Sequence, residues 1–284
     1  MAASPGRLLV VGTPIGNMSD LSARAREALA AADLIAAEDT RHTGQMLAQL
    51  GIHRPLVSLH EHNEHHRLEE LVGRVQGGGV IALVSDAGTP LISDPGFALV
   101  RAVAAAGCAV QSVPGPSAVT AALSVAGLPT NRFSFEGFLP ARSGDRRRAL
   151  AALGAATQTL VFFEAPHRIE GSLADMAELL GPARHAVLAR ELTKSHETLY
   201  RGTLAELAAQ AAQDPDIARG EITLVVAGAT AAAAGDPALL RRALELLLPE
   251  LPPARAAAVA AQLAGVSKNT AYTLALELAG QEKP

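Results

Sequence analysis

Within twelve residues, Ser85-Asp86-Ala87-Gly88-Thr89-Pro90-Leu91-Ile92-Ser93-Asp94-Pro95-Gly96 gathers two carboxylates, three hydroxyls, two glycines and two prolines. The apolar run before it, Val80 to Val84, is bounded by Gly77-Gly78-Gly79 and predicts a buried parallel strand. After it, Phe97 to Val103 repeats apolar residues at helical spacing. A plain strand-to-helix connection takes roughly 2–6 residues, so this loop is expected to hold a ligand. Its place is the carboxyl end of a strand, where open α/β sheets bind their ligands. Glycine lets a ligand approach the backbone and proline keeps the loop rigid. Pro114-Gly115-Pro116-Ser117-Ala118 follows another predicted strand. Ser117 is either a helix cap or part of a second ligand turn on the same sheet edge. Two such turns side by side favour a cleft.

Other constellations narrow the chemistry. Gly12-Thr13-Pro14-Ile15-Gly16-Asn17 has the outline of a dinucleotide fingerprint, with Glu38 downstream. Pro14 stands where that turn needs its second glycine and removes an amide donor, which argues against NAD. A tight turn facing the long loop is the better reading. Glu164-Ala165-Pro166-His167-Arg168 and Arg190 to Glu197 each follow an apolar run, as solvated loops or as parts of a site. His60-Glu61-His62-Asn63-Glu64-His65-His66 suggests metal, but lacks cysteine partners and reads more simply as a polar loop capped by Asn63. Arg142 to Arg148 carries a local charge of +3 in a chain whose net charge is −4. That patch is either a solvated helix face or a phosphate contact. No metal is expected.

The elements that must position these groups alternate strand and helix through the first 130 residues, which predicts a parallel sheet with helices on both faces. From Phe133 a second α/β unit follows, with some strands antiparallel. Ala227 to Gly235 reads as a linker, and the remainder as helix. Ala260 to Tyr272 has a helix-turn-helix outline with Gly265 at the turn and Ser267 as cap. Residues 236–284 balance five basic against five acidic side chains, so that outline predicts an accessory helical module rather than a DNA reader. The expected boundaries are 1–130, 131–228 and 229–284.

With 49% hydrophobic residues, 3% aromatic and no Trp, the cores should be aliphatic. No apolar run reaches the ~18–20 residues of a membrane span. Leu8 to Val11 is too short for a signal-peptide core. The one cysteine, Cys108, excludes an internal disulfide and is expected in a buried strand. A cytoplasmic location and no membrane partner are therefore expected.

Taken together, Val11 to Asn17, Glu38-Asp39-Thr40-Arg41, Ser85 to Gly96, Pro114 to Ala118, Glu164 to Arg168 and Arg190 to Glu197 resemble the tetrapyrrole methylase superfamily, in its RsmI-type branch. The resemblance covers residues 7–228. It implies a two-domain α/β fold with S-adenosylmethionine in the cleft, 2′-O-methylation of a cytidine in 16S rRNA of the small ribosomal subunit, and a homodimer. It places the donor against Asp86, Gly88, Thr89, Pro90, Ile92 and Ser93 of the loop and Gly115, Ser117 and Ala118 of the turn. Phe163, Leu192 and Thr193 would complete the pocket, while Arg142, Arg146, Arg147 and Arg148 would meet RNA. Porphyrin and corrin enzymes of the group carry Gly-Asp-Pro at the loop, where this chain has Ala87-Gly88-Thr89-Pro90, so a tetrapyrrole substrate is the alternative. A binding module without catalysis is a further one. Asp20, Glu38, Asp39, Glu164 and Lys194 could each take the acceptor's proton, and the sequence selects none of them.

Overall fold

A computed structural model describes residues 6–60, 63–229, 237–266 and 268–281. Ser267, His62 and most of the expected Ala/Gly linker lie outside the described residues. The described residues fall into two compact units: one extends to Gly154 and resumes over Gln158–Ala227, the other comprises Ala155–Thr157 and the chain from Gly228 onward.

The first unit opens with a five-stranded parallel sheet. Its strands are β1 (Arg7–Val11), β2 (Leu34–Ala37), β3 (Leu56–Ser58), β4 (Val80–Val84) and β5 (Ala109–Val113), in the order β3-β2-β4-β1-β5. Parallel neighbours need crossovers. These are α1 (Ala23–Ala31), α2 (Thr40–Gln49), α3 (Glu64–Gln76) and α4 (Phe97–Ala105). One face packs Val11, Ile35, Ala82 and Val84 against Ala25 and Leu29 of α1 and Leu47 of α2. The other packs Leu8, Ala36, Ile81 and Leu83 against Leu71 and Val75 of α3 and Leu99 and Val103 of α4. Burial on both faces explains why β2 and β4 read as continuous apolar runs.

The second sheet runs β6-β7-β10-β8-β9, built from β6 (Phe133–Phe138), β7 (Thr159–Glu164), β8 (His185–Arg190), β9 (Thr198–Thr203) and β10 (Ile222–Val226). Only the β6–β7 pair is parallel; β7–β10, β10–β8 and β8–β9 are antiparallel. Helix α5 (Ala118–Ala126), which leaves the Pro114–Ala118 turn, packs Val119, Ala122 and Leu123 onto Val161, Val187 and Val225 of this sheet. That helix is the joint between the two sheets. The remaining helices of the unit are α6 (Ser143–Leu153), α7 (Ile169–Leu180) and α8 (Leu204–Ala211). A reciprocal capping box between Thr203 and Glu206 starts α8.

The second unit contains α9 (Pro237–Leu247), α10 (Pro253–Ala264) and α11 (Lys268–Gln281). Its core is Leu240 and Leu244 against the alanine rows Ala256, Ala257, Ala260, Ala261 and Ala271. Gly265 ends α10 in the left-handed region (φ 67°), which an L side chain disfavours.

Two local expectations change. Cys108 sits just before β5 and is half-buried, because β5 is an edge strand whose residues other than Val113 are at least partly exposed. Asn63 precedes α3 without capping it: its Oδ1 accepts from the His60 N–H (2.9 Å) and its Nδ2 donates to the Ser58 carbonyl (3.1 Å), so it braces the preceding loop.

Candidate functional site

The first wall of the site is main chain. The turn after β1 and the long loop after β4 exchange hydrogen bonds, Thr13 N–H to the Gly88 carbonyl (2.9 Å) and Gly88 N–H to the Thr13 carbonyl (3.1 Å). The same turn presses on the Pro114–Ala118 turn so closely that a Cβ on Gly12 would lie 2.8 Å from Gly115 Cα. Thr89 Oγ1 closes the triangle by donating to the Pro116 carbonyl (3.0 Å). The two glycine/proline turns and the β1 turn thus form one edge. Four of the twelve loop residues, Gly88, Leu91, Ser93 and Gly96, hold positive φ. For the two that are not glycine this stores strain, as functional loops commonly do. Ser117 occupies the cap position of α5 without making a capping hydrogen bond.

The second wall is built by side chains. Arg190 at the end of β8 pairs with Ile222 at the start of β10, so Glu191 and Glu221 meet just beyond the ladder. Their backbones are joined by the Glu191 N–H and the Glu221 carbonyl (2.9 Å). Glu191 Oε1 accepts from both the Glu221 N–H (2.8 Å) and Lys194 Nζ (2.7 Å), and Lys194 Nζ also lies 3.3 Å from Glu221 Oε2. Burial disfavours the Lys194 charge, but the two carboxylates outweigh it and hold the pKa above its ordinary value. Glu191 is held below the usual range by the same ammonium. Gly220 (φ 75°) makes room, since a Cβ there would fall 2.3 Å from Glu191 Oε1.

Between the walls lies a cavity of about 450 Å³. Of the expected donor contacts, Asp86, Gly88, Thr89, Ile92, Ser93, Ser117, Ala118 and Phe163 line it. Pro90, Gly115, Leu192 and Thr193 do not line it; Leu192 is packed in the core with α5, and the Thr193 Oγ1 is buried and unpaired. Ile15, Glu38 and Asp94, from segments the sequence had singled out, line it too, whereas Phe138 and Gly220 to Thr223 belong to none of them. Gly220-Glu221 directly before the apolar run of β10 was the available signal. Burial pushes the Asp94 carboxyl up to about 6; a Ser85 hydrogen bond opposes the shift, and repulsion from Glu38 and Asp86 adds to it. A second cavity of about 500 Å³ adjoins the first. It is lined by Pro14, Gly16 and Met18 after β1, by His42, Gln45, Met46 and Gln49 of α2, and by Lys194. Ile15, Asp86, Ala87 and Glu221 belong to both.

Residues 7–208 match the family described as Tetrapyrrole (Corrin/Porphyrin) Methylases, and residues 233–279 match the RsmI C-terminal HTH domain. Ribosomal RNA small subunit methyltransferase I of Escherichia coli O157:H7 is 51% identical over 277 residues, covering 98% of this chain and 97% of that protein. This chain belongs to the tetrapyrrole methylase family. Within the family it groups with the ribosomal RNA small subunit methyltransferase I proteins; the one from Xylella fastidiosa (strain Temecula1) is 52% identical over 95% of this chain and 99% of its own length. The fold is also that of uroporphyrin-III C-methyl transferase from Thermus thermophilus, solved with S-adenyl homocysteine (TM-score 0.55, 19% identity, 78% of this chain and 97% of that one).

In this methylase the proton-acceptor candidates separate by environment. Asp20 lines neither cavity. Asp39 caps α2, and the Arg41 guanidinium and the helix amides hold its carboxyl well below the usual range. Glu164 is buried with its oxygens engaged by Ser172, Arg168 and the Ala165 N–H. Lys194 is a charged ammonium. Glu38 lines the first cavity.

The arginine patch also divides. Arg146 is buried and donates to Asp175 (2.7 Å), and Arg147 bridges Asp175 and Glu178, so both tie α6 to α7. A guanidinium already satisfied by carboxylates inside the fold is not free to neutralise a phosphate, which corrects the expectation for Arg146. Arg142 and Arg148 stay exposed, with Arg148 paired to Asp145 across one turn. Among the described residues no group of three or more His, Cys, Asp or Glu is placed to hold a metal ion, and no helix is long and apolar enough to cross a membrane.

Proposed function

We propose that this methylase transfers the methyl group of S-adenosylmethionine to the ribose 2′-hydroxyl of a cytidine in 16S rRNA, within the small ribosomal subunit. The near-full-length identity with the small subunit methyltransferases carries this reading. The first cavity fits the donor: about 450 Å³ lies inside the usual 300–1,000 Å³ range of small-molecule sites. Its apolar Ile15, Ile92 and Phe163 suit an adenosine, and Glu38, Asp86 and Asp94 suit a cation. When bound, S-adenosylmethionine supplies an already activated methyl group. The protein's task is then to align the acceptor and keep water out. Gly88 and Ala118 let the backbone approach the ligand, Ser117 offers a hydroxyl, and the bridge between Thr13 and Gly88 keeps the wall rigid.

The RNA nucleotide occupies the second cavity in this reading. A chain with net charge −4 gains little from bulk attraction, so binding rests on local cations, with Arg142 and Arg148 as the exposed pair. A cavity of about 500 Å³ admits one nucleotide turned out of its stack, which costs a few kcal/mol from an ordered helix and less from an exposed loop. Residues 1–130 would carry the donor wall, 131–228 complete it, and 229–284 serve as the helical accessory module. We include a cytoplasmic location and a homodimer in the proposal. Phe97, 63% exposed under the Arg101 guanidinium, is an aromatic of the kind interfaces bury.

The test is methyl transfer with purified protein, S-adenosylmethionine and assembled small subunits lacking the modification. The expected product is a cytidine whose 3′ phosphodiester resists alkali. Base methylation, or transfer to a porphyrin or corrin and not to RNA, would contradict the proposal.

A further inference from the structure

A general base must come within hydrogen-bond reach of the acceptor hydroxyl while that hydroxyl faces the methyl group. It therefore belongs on the wall the two cavities share. Two carboxylates line both, Asp86 and Glu221. Asp86 is engaged: its Oδ1 accepts the Asp39 N–H (3.0 Å), and it stands beside Glu38 and Asp94 in the acidic group that suits a cationic donor. Glu221 comes from the other sheet. Its backbone is locked to Glu191 in both directions, and its Oε2 lies 3.3 Å from the Lys194 ammonium, which lines the second cavity.

Resting on the methyl-transfer reading above, we infer that Glu221 takes the proton from the acceptor hydroxyl and that Lys194 is the positioning residue that holds it there. The hydroxyl oxygen forms its bond to the methyl carbon as the carbon–sulfur bond breaks, leaving that electron pair on sulfur. The hydroxyl proton passes to a Glu221 carboxylate oxygen and then to water. Lys194 holds Glu221 on the shared wall, and Gly220 is the residue whose missing Cβ allows Glu191 to hold Lys194.

Single-turnover methyl transfer to assembled small subunits tests this, alongside calorimetry for S-adenosylmethionine and a subunit-binding assay. Glu221→Gln should lower the rate about 100-fold or more, the usual reach of a general base, while both affinities stay within about threefold. Lys194→Met should lower the rate about tenfold, and Lys194→Arg should restore most of it. If Glu221→Gln melts early, Glu221→Asp keeps the charge one methylene further back and should still cost about tenfold. A Glu221→Gln rate within threefold of wild type, or a donor affinity that falls in step with the rate, overturns the assignment. A wild type that binds donor but leaves the subunits unmethylated overturns the substrate reading instead.

Discussion

The two walls of the site solve the same positioning problem by different means. On the parallel sheet the geometry is held by backbone: reciprocal Thr13–Gly88 hydrogen bonds, a Gly12–Gly115 contact with no room for a side chain, and a loop with four positive φ angles. On the mixed sheet it is held by charge: Glu191, Lys194 and Glu221 across the β8–β10 ladder. Elsewhere in the same unit, Arg146 and Arg147 tie α6 to α7 by charge as well. A wall of backbone is rigid, and an added Cβ strains it. Charged side chains tolerate added bulk better, but each depends on its partner.

This contrast predicts different failures. The largest is at the buried pair, where Arg146→Ala leaves Asp175 with Arg147 alone. Breaking such a pair costs roughly 3–5 kcal/mol, and about 3 kcal/mol is expected because Arg147 still faces Asp175. The carboxylate gives the effect its pH dependence. Burial raises the Asp175 pKa, yet the hydrogen bonds from Arg147 and Arg146 outweigh that and lower it overall. Its contribution is therefore present above the usual carboxylate value and lost as pH falls through the lowered one. Urea denaturation should show the Arg146→Ala deficit at pH 7 and a smaller deficit in acid.

On the backbone wall, Gly115→Ala places a Cβ 2.8 Å from the Gly12 carbonyl oxygen, where only main chain could yield. A loss of about 2 kcal/mol is expected, with no dependence on pH between roughly 6 and 9. Equal pH sensitivity in the two variants would erase the distinction between the walls.

On the backbone side, the Asp94 carboxyl has its pKa raised by burial. Its folded pKa of about 6 lies above its ordinary 3.8, so wild-type stability should fall as pH rises from about 4 to 6 and stay lower above that. Asp94→Asn removes the fall and should be more stable at pH 8 by about 1 kcal/mol, after allowing for solvent screening of a half-buried group. A variant that is less stable at pH 8 would mean the carboxylate is compensated by a partner. The smallest effect is at the rim. Arg142→Ala with Arg148→Ala should weaken RNA binding and reduce its salt slope by about 2, one for each phosphate no longer neutralised. An unchanged slope would make both residues a solvated helix face.

The backbone wall was also the more legible one. Strands β2 and β4 of the parallel sheet have the bounds their apolar runs announce, because each is short, β-branched or small-residue rich, and closed by Gly or charge; β10 of the mixed sheet does so too. The pairing of the loop with the two turns could be inferred because glycine and proline encode local backbone geometry. The side-chain wall depends on partners far apart in sequence. Charge density marked Arg142 to Arg148, but Asp175 and Glu178 lie far along the chain on another helix, and nothing in the spacing linked them. The second cavity draws on α2, a loop of the first sheet and a strand end of the second, so its His42, Gln45 and Met46 carried no pattern. Strand β6 extends past Phe135 through a bulge between Phe135 and Gly137 that alternation does not reveal.

The division of labour between the walls is tested most directly by calorimetric titration of S-adenosylmethionine into Gly88→Val beside the wild type. Gly88 holds φ 82°, and a Cβ there meets Ile15 Cγ2 at 3.2 Å on the wall of the first cavity. The variant should remain folded by circular dichroism and bind the donor at least about tenfold more weakly. A folded Gly88→Val protein with unchanged donor affinity would show that the donor does not lie against this loop.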